Sequence, residues 1–81
     1  MLSIKNRYNH TVDDPDATFL NDYIEQIEEL TFSYNKIHQL NLNANIKIIR
    51  SYAFMKNFLK EVFVSSKTIW EKGAFDQGAR I

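Results

Sequence analysis

Three asparagines in five residues, in the run Asn41-Leu42-Asn43-Ala44-Asn45, separate two long segments whose apolar side chains recur every three or four positions. Asn favours turns and caps over helix interiors, because its amide competes for nearby backbone groups. A chain that turns here is a helical hairpin. Leu20, Tyr23, Ile27, Leu30, Tyr34 and Ile37 form the stripe of a first helix, about 15–40. Ile48, Tyr52, Met55, Leu59, Val62 and Ile69 form that of a second, about 46–72. Spacing of this kind predicts amphipathic helices. Asp14, Pro15 and Asp16 suit the first helix start, and Gly73 suits a C-terminal cap.

The expected fold class is therefore all-α, an antiparallel two-helix hairpin. Residues 1–12 would be a flexible arm or short extended segment, 13–72 the hairpin and 73–81 a flexible tail of one domain. Two other readings stay open. The heptad frames on either side differ by a stutter, which a continuous rod absorbs. Leu42, Ala44, Ile46 and Ile48 also alternate with Asn41, Asn43, Asn45 and Lys47, a period-2 pattern that suits a strand.

At 81 residues a single core is barely sufficient, and with no Cys no disulfide can reinforce it. The second stripe, widened by Phe58, Phe63 and Trp70, exceeds what one partner helix covers. Self-association into a four-helix or larger bundle is the expected remedy, with the stripe residues as oligomer interface. Off those stripes, Phe32, Phe54 and Val64 suggest a second surface for another protein.

Charge is balanced overall but not locally. Residues 1–40 hold 3 Lys/Arg against 7 Asp/Glu, and residues 41–81 hold 7 against 3. Pairing of an acidic with a basic helix explains this simply. Arg50, Lys56, Lys60 and Lys67 are the nucleic-acid contacts expected if the basic half instead meets a polyanion. His38 reads as a core or interface histidine. His10 with Asp13, Asp14 and Asp16 matches no metal-ligand spacing. No catalytic set, phosphate loop or cofactor motif occurs, so no catalytic, cofactor-binding or metal-ligating residue is assigned. The N-terminal residues lack a signal-peptide core, and no stretch is long enough to span a bilayer. The expectation is a cytoplasmic, non-enzymatic interaction module acting as a helical homo-oligomer; the alternative is a small nucleic-acid-binding protein.

Overall fold

In the computed structural model, which describes residues 1–9 and 23–81, the chain winds into stacked coils of parallel strands. β1 (Ser3–Ile4), β2 (Gln26–Ile27), β4 (Ile48–Ile49) and β6 (Ile69–Trp70) pair in that order as one parallel sheet. β3 (Gln39–Asn41) and β5 (Glu61–Phe63) make a second ladder, which Arg80 extends by bridging to Glu61. Gln26 lies beside Ile48, and Gln39 beside Glu61, each 22 residues further on. Every turn of the coil thus places equivalent residues on top of one another, the geometry of a solenoid.

The core follows from that stacking. Ile24, Ile27, Phe32, Ile37, Leu40 and Leu42 are buried in one coil. Ile46, Ile49, Phe54, Leu59 and Val62 repeat the same spacing in the next and are also buried. Ala53 and Ala74, each just before a core Phe, are buried and keep that corner narrow. Phe32 and Phe54 stack with ring centres 5.2 Å apart, and Phe54 and Phe75 with centres 5.7 Å apart. Beside this aromatic column runs a polar one. Asn57 Nδ2 donates to the carbonyls of Phe54 (2.7 Å) and Phe32 (3.0 Å), while its Oδ1 accepts from the Ile37 amide at 3.1 Å. Asn35 Nδ2 serves the carbonyls of Phe32 and Arg7 in the same way. In the last coil Asp76 takes the amides of Asn57 (3.1 Å) and Leu59 (3.0 Å). Buried corner backbone is satisfied by side chains wherever no ladder reaches it.

The all-α hairpin, its helical-bundle assembly and the coiled-coil seam are overturned: no helix occurs among the described residues. Apolar residues follow the coil's inward positions, with gaps of three, five, five, three and two from Ile24 to Leu42, not a helical face. Ile27 and Ile37 are core, while Tyr23, Leu30 and Tyr34 from the same expected stripe are exposed. Residues 1–12 include β1, and the expected tail contributes Ala74 and Phe75 to the core. The asparagine run does turn, at Ala44–Asn45, but between strands; the Asn43 side chain accepts from the Asn45 amide at 2.9 Å. Leu20 and the Asp14-Pro15-Asp16 helix start lie outside the described residues.

Sharp corners make each coil close. Leu30, Tyr52 and Gly73 occupy equivalent positions with φ of 61°, 60° and 71°. Tyr34 and Lys56 form a second left-handed pair. L side chains carry a conformational cost there, so glycine fits best. At Gly73 there is a further reason: a Cβ would collide with the Tyr52 ring lying over it. Gly73→Ala should cost about 2 kcal/mol or more, the αL cost plus the clash. In a Tyr52→Ala background only the αL part, about 1–2 kcal/mol, should remain. Denaturant midpoints of the four chains measure both.

Candidate functional site

Two flanks of the solenoid differ in charge. On one, Lys5, Glu28, Arg50 and Glu71 follow each other up successive coils, one residue beyond the strand register. Arg50 Nη1 meets Glu71 Oε2 at 2.9 Å, and the Ser51 amide donates to the other carboxylate oxygen at 3.0 Å. Lys47 Nζ lies 2.7 Å from Glu25 Oε2 in the same manner. The hydrogen bond from Arg50 holds the Glu71 carboxyl below its ordinary range, and Lys47 does the same for Glu25. Both pairs are open to solvent, so they contribute modestly to stability. This flank is a self-neutralising ladder.

The other flank is not neutralised. From Tyr34 to His38 and from Lys56 to Lys60 every second side chain is buried. Asn35 and Ile37, with Asn57 and Leu59 above them, point inward. Tyr34, Lys36 and His38 point out of one coil; Lys56, Phe58 and Lys60 point out of the next. Backbone bonds fix the register, since Tyr34 donates to Met55 (3.0 Å), Phe58 to Ile37 (2.9 Å) and Lys60 to His38 (2.9 Å). The result is a checkerboard of rings and cations. Tyr34 lies beside Lys56, Lys36 beside Phe58 and His38 beside Lys60, with the His38 and Phe58 rings 5.6 Å apart. No Asp or Glu occurs in 30–40 or 51–60. Asp76, the nearest acid of the last coil, is committed to the Asn57 and Leu59 amides.

The third surface is the open end of the last coil. Trp70 is 42% exposed and touches Phe75 edge-on at 6.1 Å. Phe63, Ile69 and Ile81 are exposed there too. Ile69 and Glu71 donate their amides back to Lys47 and Ile49. Strand geometry then turns the N–H and C=O of Trp70 outward, where no described strand pairs with them.

The residues singled out from sequence fall in different places. Of the expected oligomer interface, Ile27, Ile37, Leu59 and Val62 are core, Ile48 and Met55 are half-buried, and Tyr23, Leu30, Tyr34, Tyr52 and Ile69 are exposed. Phe32 and Phe54, expected as a partner surface, are 1% and 0% exposed and form the centre of the aromatic column; Val64 packs against the core. Among the expected nucleic-acid contacts, only Lys56 and Lys60 share a flank. Arg50 is paired with Glu71, and Lys67 lies in the turn that precedes β6. Lys36 and Phe58 join the surface unforeseen. The signal that finds them is the repeat: Asn35 and Asn57, 22 residues apart, mark the two runs.

Among the described residues no three His, Cys, Asp or Glu side chains gather into a metal-ligating group. His10 and its neighbouring aspartates lie outside the described residues. No described helix is long and apolar enough to cross a membrane. Comparison with protein-family models, with curated proteins and with solved structures finds no match.

Proposed function

We propose that the chain is a non-enzymatic interaction module of the cytoplasm that self-associates through the open end of its last coil. The observation that carries this reading is the outer edge of β6, which no described strand pairs, with Trp70, Ile69, Phe63 and Ile81 exposed around it. An unpaired edge with an apolar end is a template for another chain. A second copy fits it. A two-fold axis along the sheet normal at β6 pairs the strand antiparallel with itself, keeping inward faces inward. The rim holds Glu61, Glu71 and Asp76 with Lys72 and Arg80, so two such ends meet with mixed signs and little net charge. The molecule measures 27 × 24 × 22 Å, so an end-to-end contact buries roughly 450 Å² per copy, at the transient end of stable interfaces. The absence of Cys suits a reducing compartment.

Light scattering during gel filtration over a wide concentration range tests this reading. A reversible monomer–dimer equilibrium is expected, with Trp70→Lys monomeric throughout. A wild-type monomer at every concentration, or a dimer indifferent to Trp70→Lys, overturns it.

A further inference from the structure

We infer that the checkerboard flank binds an unpaired nucleic-acid strand, its bases stacking on Tyr34 and Phe58 and its phosphates meeting Lys36, Lys56 and Lys60. This surface is separate from the coil end used for self-association, so either reading can fail alone. Three observations point to the ligand. First, the six outward positions alternate ring and cation both along the chain and between coils. Coils stack about 4.8 Å apart, so Tyr34 and Phe58 each have a lysine on the neighbouring coil. Unpaired strands are held by this combination, an aromatic platform for the base with a cation for the backbone.

Second, the rings are held out of the core. Phe58 and Tyr34 are each 57% exposed, although Phe58 follows the buried Phe54 by four residues in the same coil. Tyr34 and Lys56 occupy left-handed backbone, φ 59° and 60°, where Asn or Gly fit more readily.

Third, the cations are uncommitted. Lys36, Lys56 and Lys60 form no ion pair among the described residues, in contrast to Lys47 and Arg50 on the other flank. An acidic polypeptide would satisfy the lysines but leave two ring faces without a matching flat group. A duplex would hide its bases from them.

The test is anisotropy of a fluorescein-labelled oligothymidylate titrated with the full chain at several salt concentrations. Binding is expected, with a log–log salt slope of about −2 from three phosphate contacts. Phe58→Ala should weaken it about tenfold with the slope unchanged. Lys36→Ala with Lys60→Ala should bring the slope to about −0.7. All three substituted residues are exposed, and thermal melts confirm that the variants fold. No binding by the wild-type chain at low salt overturns the inference. Equal affinity for a duplex does so as well. Displacement by poly-glutamate together with indifference to Phe58→Ala also overturns it, and assigns the flank to an acidic protein.

Discussion

Phe54→Ala is expected to remove a large share of the chain's stability, while Phe58→Ala leaves it almost unchanged. Phe54 is fully buried and stacks on Phe32 below and Phe75 above, so truncation opens a cavity that interrupts the aromatic column. Phe→Ala in a core costs about 3–5 kcal/mol. A domain of this size has a total stability of about 4–12 kcal/mol. Phe58→Ala, four residues on and 57% exposed, should change stability by no more than about 0.5 kcal/mol. Denaturant midpoints of the two variants give the comparison directly. A helical second segment reverses the order, since it places Phe58 on the apolar stripe and Phe54 off it. A larger loss from Phe58→Ala than from Phe54→Ala therefore contradicts the stacked coils.

Asn57→Ala should come close behind, at about 2–4 kcal/mol. Its side chain is the partner of the Phe32 and Phe54 carbonyls and of the Ile37 amide, in two different coils. Deleting it strands the Phe54 carbonyl and the Ile37 amide, each with a desolvation cost of about 1–3 kcal/mol before relaxation or water entry, while the Phe32 carbonyl keeps Asn35 Nδ2 as a donor. Asn57→Asp should be worse than Asn57→Ala near neutral pH. The carboxylate keeps an acceptor for Ile37 but aims negative charge at two carbonyl oxygens. Acidification protonates that group and restores one donor, so the gap between the two variants should close as pH falls. Thermal melts across pH measure it. A gap that stays constant would mean the side chain at this position does not hold the corner.

Part of this was legible in the residues. The turn in the asparagine run is real, but the strand alternative for 42–48 is not: a turn at Ala44–Asn45 separates β3 from β4, and Ala44 is exposed. Gly73 does need left-handed backbone, though at a solenoid corner and not after a helix. The helical reading failed because coil corners compress the chain. Inward positions fall three, five and two residues apart, and exposed Tyr23, Leu30, Tyr34 and Tyr52 fill the gaps to make a false 3–4 rhythm. Periodicity over a dozen residues cannot separate the two. Self-similarity over 22 residues can. Ile24-x-x-Ile27 returns as Ile46-x-x-Ile49, Thr31-Phe32 as Ala53-Phe54 and Ala74-Phe75, Asn35 as Asn57, and Leu40-x-Leu42 as Val62-x-Val64. The surfaces were less legible than the core. Exposed rings and lysines gather on one flank only once the coils are in register, and a helical wheel scatters them.

The most direct test of the fold is a map of methyl-to-methyl nuclear Overhauser contacts. Stacked coils give contacts at constant sequence difference, linking Ile27 to Ile49 and Leu40 to Val62, 22 residues apart in each case. An antiparallel hairpin turning near Asn43 gives contacts at constant sequence sum, linking Ile27 to Leu59 and Leu40 to Ile46. The first pattern is the one predicted here. The second would contradict the solenoid and every surface assigned on it.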